Sequence, residues 1–469
     1  MNWANLSRLL GLSLWLGAPL LGQTPQIIHG ADGRFKVDIL VVVAHPDDEG
    51  GVTPYLAKVI YDLHKSVGVV YGTRGGSGGN DYSREHGPAL ANIREMEARE
   101  ACAKLGITNV WFLDGKDTAS QNVLNSLSNW GHGASLEKLV GIFRLTRPDI
   151  VISWLPAIFI GENHGDHQAA GVLATEAFDL SGDPSIFPAQ LAGASKRLEP
   201  YLENLTPWQV KKIYYFSDAR DGQQFAGKGP TYSIKEVSPS QKKPYWRLAL
   251  DAASPHRTQF PKEIEQIAKM SEAQVEKMMS DPNTAWWNEP ETLIFGKAAV
   301  KTAPTDDVFA GLQLEPLPSV MEAVKDQDFL FASGDHVTLG GPWRYYGLFR
   351  YKHGLQSLPT APAPEIAIKS GSTLIVPMMI QHADPLIPLL VSVKVETPAG
   401  WKVNSGQGEM ELAAESFTAL RVDVDTPVLP ADELKKAQPQ EITVRVEVNG
   451  KSIGDVKLRA VLMAGALPE

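Results

Sequence analysis

Between residues 37 and 216 the chain repeats one grammar, in which a short apolar run is followed by an amphipathic stretch and then another apolar run. The apolar runs are VDILVVV at 37–43, VGVVYG at 67–72, NVWFL at 109–113, DIVISW at 149–154 and KIYYF at 212–216. Runs this short and this apolar suit strands covered on both faces. Helical spacing falls between them at 53–65, at 89–105 with Gly106 as the stop, and at 135–146, ended by Pro148. A further helix is expected after His167, through QAAGVLATEAF. Strand and helix in alternation predict a parallel sheet with crossover helices: an α/β, Rossmann-like three-layer domain. Such sheets bind their ligands beyond the carboxyl ends of the strands.

Beyond about residue 365 the period changes to two. VSVKVE at 391–396, LRVDVD at 420–425, ITVRVEV at 442–448 and VKLRAVL at 456–462 alternate apolar and polar, separated by Gly, Pro and Asn-Gly turns. This predicts an all-β, immunoglobulin-like antiparallel sandwich over 366–465, without helices. The Pro-rich SLPTAPAPE at 357–365 closes a linker drawn at 351–365, across which few contacts are expected. The catalytic domain is assigned to 30–350. Residues 275–356 carry no clear secondary-structure signal.

The first residues read differently. Arg8 precedes the apolar run LLGLSLWLGAPLLG, too short to span a bilayer comfortably, and Gly22 offers a small residue at a cleavage point before Gln23. Residues 1–22 are therefore expected to be a signal peptide, giving a secreted or periplasmic protein with no transmembrane helix after cleavage. Cys102 is the single cysteine, so no intrachain disulfide can form. A formal net charge of -10 supplies no basic field for phosphates, which argues against nucleic acid as a partner.

The first strand runs straight into charge: VVVAHPDDEGG puts His45, Asp47, Asp48 and Glu49 at the strand's end. His45 and Asp48 are three apart on a turn, a spacing that lets both reach one point. Asp47 points elsewhere but stays near, as a base that is not a ligand would. A zinc or iron site needs further N or O ligands from rigid backbone. The cluster ENHGDHQAAG offers His164, Asp166 and His167 just after the strand DIVISW, at the same edge of the sheet. The competing reading is a polar turn and surface histidines. Two such clusters at the ends of two strands of one sheet favour a metal site.

AHPDDE after the first strand, paired with HGDH after a later one, resembles the PIG-L (LmbE-like) family of metal-dependent N-acetylglucosaminyl deacetylases. TRGGSGG at 73–79, IREMEAREACAKLGI at 93–107 and HRTQ at 256–259 add to the likeness, which covers about 35–270. The resemblance implies that His45, Asp48 and His167 hold the metal, Zn2+ or another divalent ion such as Fe2+. It implies Asp47 as general base, and His164, oriented by Asp166 and protonated, as the group that stabilises the tetrahedral intermediate. The substrate it implies is an N-acetylated sugar, glycan or glycolipid, from which the enzyme removes acetate by cleaving a linear amide.

Other residues have two readings each. Glu97 lies on the inner face of its helix and needs a partner, for which Arg94 or Arg74 could serve, or it could contact substrate together with them. The loop from Arg74 to Gly79 is either a substrate lid or a plain connection. Glu49 braces the following helix, and His256 has a supporting role. Trp286 and Trp287 fit buried packing better than stacking on sugar rings. Two other function classes stay open: a metal-dependent amidase on another acylated amine or conjugate, and a non-catalytic carbohydrate-binding protein. The presence of Asp47 speaks against the second.

Overall fold

The computed structural model describes residues 35–119, 121–157, 164–191, 205–218, 225–281, 284–312, 334–359 and 363–464. The expected signal peptide lies outside the described residues. The first unit opens with β1 (Ile39–Val43), α1 (Thr53–Tyr61), β2 (Val67–Tyr71), α2 (Pro88–Lys104), β3 (Asn109–Phe112), α3 (Val123–Asn129) and α4 (His132–Thr146). It continues through β4 (Ile150–Trp154), α5 (Gly165–Leu180), β5 (Lys212–Phe216) and the short β6 (Thr231–Tyr232). Three helices follow, α6 (Tyr245–Ala253), α7 (Pro261–Lys269) and α8 (Glu272–Ser280), then β7 (Glu291–Thr292) and β8 (Ile294–Ala298).

Six of these strands form one sheet in the order β3-β2-β1-β4-β5-β8. All neighbours run parallel except β8, which pairs antiparallel with β5. Every residue of β1, β2, β4 and β5 is buried, which is why these segments read as largely apolar runs, Ser153 and Lys212 being the polar exceptions. The chain leaves β1 toward β2 on one side and reaches β4 on the other. The strand order therefore reverses at β1/β4, and a crevice opens beyond the ends of these two strands. His45 follows β1 and His164 precedes α5 after β4, so both expected clusters sit at that crevice.

The remaining elements are β9 (His336–Leu339), α9 (Gly341–Lys352), β10 (Glu365–Lys369), β11 (Thr373–His382), β12 (Leu389–Glu396), β13 (Lys402–Ser405), β14 (Gly408–Leu412), β15 (Ser416–Asp425), α10 (Ala431–Leu434), β16 (Gln440–Val448) and β17 (Lys451–Met463). They build a five-stranded sheet, β10-β17-β16-β12-β14, and a four-stranded one, β13-β15-β11-β9. Alternate residues of β11 and β15 point into a common core with Val391, Val444 and Leu458. Two expectations are corrected: the short helix α10 interrupts the β region, and β10 pairs parallel with β17.

The two units are joined by more than the Pro-rich segment. β9 lies ahead of it in sequence yet pairs with β11, Thr338 opposite Met379. Between β9 and that segment runs α9, whose Tyr346 and Phe349 are buried in the core of the first unit together with Leu355 and Leu358. Trp343, one turn earlier, packs on the second core. Lys297 of β8 and His353 after α9 both reach the Asp179 carboxylate on α5. Contacts thus cross where few were expected. Among the described residues no helix is long and apolar enough to cross a membrane.

Candidate active site at the β1/β4 crevice

The turn after β1 is organised by one carboxylate oxygen. Asp48 Oδ2 accepts from the backbone N–H of Ala44 at 2.9 Å and of His45 at 2.8 Å, and from Trp154 Nε1 at 2.9 Å. Its other oxygen, Oδ1, is left to face His167 Nε2 at 3.2 Å. Trp154 closes β4, and its ring lies flat on that of His167. One ligand atom each from His45, Asp48 and His167 falls within a 4.8 Å span, and so does one each from His45, His164 and Asp166. The structure thus brings together all six residues that the sequence pattern places at the site, Asp47 included at the turn.

The roles of His164 and Asp166 differ from expectation in their contacts. His164 caps α5: its Nδ1 accepts from the Asp166 backbone N–H at 3.2 Å. The Asp166 carboxylate does not orient His164 but is fully buried against the loop after β3. It accepts from Thr118 N–H at 2.9 Å and Thr118 Oγ1 at 3.0 Å, and lies 3.4 Å from His45 Nε2. Burial, and then the His45 and His167 rings, push the His164 imidazole down to about 4, so the protonated form is disfavoured. With Nδ1 as acceptor, Nε2 carries the proton of the neutral ring.

Burial alone would lower His45, but Asp48, Asp117 and Asp166 outweigh it and hold the imidazole well above its ordinary value. The surroundings therefore select positive charge at this point. Burial would raise Asp48, yet His167 and His45 hold it well below the usual carboxylate range. Burial and the adjacent Asp48 charge push Asp47 up to about 7. Two triads that share His45, one with Asp48 and His167 and one with His164 and Asp166, offer the N and O ligands that suit a divalent ion.

Asp117 belongs to this cluster and was missed. It sits 3.2 Å from His45 Nε2; burial would raise its carboxyl, but the hydrogen bond and charge of His45, with the Ser77 backbone N–H, together bring it down to about 2. The one signal available was its position, just past the end of a parallel strand. Trp154 and Thr118 were missed too, since nothing in a strand-ending Trp or a loop Thr marks a contact with a distant carboxylate.

The three residues expected to contact substrate are placed as follows. Arg94 is buried: its guanidinium donates to the carbonyls of Gly75 and Gly79, both at 2.7 Å. A Cβ at Gly78 would lie 2.4 Å from that guanidinium, so the glycine is what lets the loop wrap around it. Glu97 is not ion-paired to Arg94 or Arg74. It accepts from Thr258 N–H at 3.0 Å and Thr258 Oγ1 at 2.6 Å. Arg74, half-buried, pairs with Glu95 and Asp114. Trp287 is buried and donates from Nε1 to Gly50 O at 2.7 Å, as packing requires. Trp286 is more exposed and lines cavities of about 420 and 600 Å³, both of which reach Gly51; the smaller also touches Asp47.

A mostly parallel sheet with helices, and a His/Asp cluster at its strand-order reversal, gives the first unit an LmbE-like fold, followed by mostly antiparallel β-sheets. Residues 40–178 match the family described as PIG-L, GlcNAc-PI de-N-acetylase, and the chain carries a PIG-L family domain there. It is 31% identical over 188 residues to the 1D-myo-inositol 2-acetamido-2-deoxy-alpha-D-glucopyranoside deacetylase 1 of Frankia alni, covering 36% of this chain and 59% of that one. It is 25% identical over 255 residues to the enzyme of the same name, without the numeral, from Thermobifida fusca, covering 47% of this chain and 82% of that one. The chain thus spans about three fifths of the length of the first relative. Among solved structures it is similar to the N,N'-diacetylchitobiose deacetylase of Pyrococcus horikoshii, at 23% identity and a TM-score of 0.38, over 55% of this chain and 83% of that one.

Proposed function

We propose that the protein is an exported, divalent-metal-dependent hydrolase that removes the acetyl group from an N-acetylglucosamine-type substrate. The observation that carries this reading is the convergence of His45, Asp48 and His167 beside Asp47, inside the PIG-L domain. The relatives' names supply the substrate class; export rests on the Arg8-led apolar segment.

His45, Asp48 and His167 would hold the ion, with zinc the first candidate and Fe2+ another. Such an ion, when bound, polarises an amide carbonyl and acidifies a water. Asp47, raised to about 7, is matched to accept the proton of the attacking water near neutral pH. As the water oxygen bonds to the carbonyl carbon and the C–N bond breaks, Asp47 returns that proton to the leaving amine, releasing acetate. His164 serves as a neutral donor: its Nε2–H faces the developing oxyanion while the α5 N-terminus holds its Nδ1. Trp154 and Asp117 keep ligand side chains in place, and Thr118 does so through Asp166, which lies beside His45.

The test is acetate release from a panel of N-acetylated sugars, glycans and glycolipids by protein reconstituted with zinc or Fe2+. Release from an N-acetylglucosamine-containing compound, abolished by chelation and by Asp47→Asn, is the expected result. Release that survives chelation, or none from any member of the panel, overturns the reading. Export is tested separately by the mass of the mature chain, which should begin near Gln23.

A further inference from the structure

The peptide unit between Pro46 and Asp47 is held at both of its polar atoms by side chains. Its N–H, on Asp47, donates to Glu49 Oε2 at 3.1 Å. Its carbonyl, on Pro46, accepts from Gln259 Nε2 at 2.5 Å. Glu49 is itself anchored: Oε1 lies 2.8 Å from His256 Nε2, and the Tyr71 hydroxyl reaches the same carboxylate. Glu49 and His256 are both almost fully buried, and among the described residues His256 Nδ1 has no hydrogen-bond partner. Among those residues the Glu49 contact is thus the polar anchor of the ring.

These contacts converge on an unusual backbone. Asp47 has φ 111° and ψ -24°, a left-handed conformation that residues other than glycine rarely adopt. Such a conformation persists only where its surroundings impose it. The clamp comes from the segment 256–259 after α6, more than two hundred residues further along the chain. That segment is tied down a third time, by Thr258 to Glu97.

We propose that Glu49, His256 and Gln259 are positioning residues for Asp47: they fix the plane of the Pro46–Asp47 peptide and so aim the Asp47 side chain at the reacting water. None of the three touches the reacting atoms. The inference rests on Asp47 being the base, as proposed above, and its two parts fail separately.

The first measurement does not involve activity. Hydrogen–deuterium exchange at the Asp47 amide, read from peptides over residues 44–52 of the full chain, should be slow in the wild type. It should speed up at least tenfold in Glu49→Ala and measurably in His256→Ala. His256→Gln, whose amide nitrogen can take the place of Nε2, should restore protection. The second measurement is kinetic. On whichever N-acetylated substrate the wild type cleaves, Glu49→Ala and Gln259→Leu should lower kcat roughly tenfold to a hundredfold, the effect of an ångström-scale misplacement. KM and zinc stoichiometry should not move, and His256→Gln should recover rate lost in His256→Ala. Gln259 is only half-buried, so Gln259→Leu keeps the test open where the buried substitutions impair folding.

Unchanged exchange in Glu49→Ala overturns the clamp, as does a loss of kcat accompanied by loss of zinc or by failure of His256→Gln to rescue. A wild type that releases no acetate while the exchange pattern holds sinks the deacetylase reading and leaves the clamp standing.

Discussion

Trp154 lies flat against His167, ring centroids 4.3 Å apart and planes within 6°, while its indole N–H donates to Asp48 Oδ2 at 2.9 Å. One residue at the end of β4 thus sets the orientation of two expected metal ligands, one on each side of the strand-order reversal. The stack fixes the plane of the imidazole, and the hydrogen bond fixes which Asp48 oxygen remains for the ion.

Trp154→Phe separates these two effects, since it keeps an aromatic face for His167 and removes the donor to Asp48. Zinc affinity, measured by competition with a chromogenic chelator, should fall about tenfold to a hundredfold, the usual worth of a group that orients a ligand. An unchanged affinity would mean that the backbone donors of Ala44 and His45 suffice to hold Asp48.

The neighbouring aspartates should divide their labour. Asp47→Asn should retain stoichiometric metal and lose roughly 10²–10⁴ in kcat, the range for a positioned general base. Asp48→Asn and His167→Ala should lose most of the metal, and with it the rise in melting temperature that added zinc gives the wild type. Equal metal loss in both aspartate variants would show that the division is wrong.

Acid should loosen the packing of α9. Burial would raise the Asp179 carboxyl, but the hydrogen bond with His353 and the nearby Lys297 ammonium outweigh it and hold it below its ordinary 3.8. A carboxyl whose folded value is depressed contributes stability that is complete above the unfolded value and is lost as pH falls through the folded one. Urea midpoints should therefore drop from about pH 5 downward. Asp179→Asn should flatten that part of the profile. Asp179→Ala, which leaves the buried Lys297 unpaired, should cost about 3 kcal/mol at pH 7. A wild-type profile as flat as that of the variant would count against this pairing.

A chain cut after Leu358 should not behave as an independent catalytic unit. It keeps β9 but loses β11, leaving Val337, Leu339 and Trp343 without the core they pack on. Returning these side chains to water should cost about 2–4 kcal/mol and favour aggregation. A soluble truncation with the melting temperature of the full chain would show that the first unit needs nothing from the second.

What could be read from the sequence was what repeats or clusters. β1, β2, β4 and β5 announce themselves because a strand covered on both faces carries few polar residues, here only Ser153 and Lys212. His45, Asp48 and His167 were legible as candidate ligands because residues of those types cluster just after such strands. Asp117 was not, because a single aspartate in a loop has no pattern, and its importance comes from a histidine contributed by another strand. Glu97 shows the same limit: its need for a partner was plain, but Thr258, from a segment folded over the far side, competed with the arginines nearer in sequence. β8 and β9, of five and four residues, are too short to display a period, and the pairing of β9 is decided by a strand beyond α9.

The path of the backbone around α9 has an evolutionary consequence. The chain enters the second unit's sheet at β9, returns to the first unit's core with Tyr346 and Phe349, and only then departs for good. A recombination point placed in the Pro-rich segment would leave behind a strand belonging to the incoming partner and a helix shaped for the lost one. The heritable module is therefore wider than the β region: any exchange of the C-terminal half that conserves fold has to carry β9 and α9 with it, and the residues of the first unit that α9 and the following His353 touch, Gln168 and Asp179 among them, must match the newcomer.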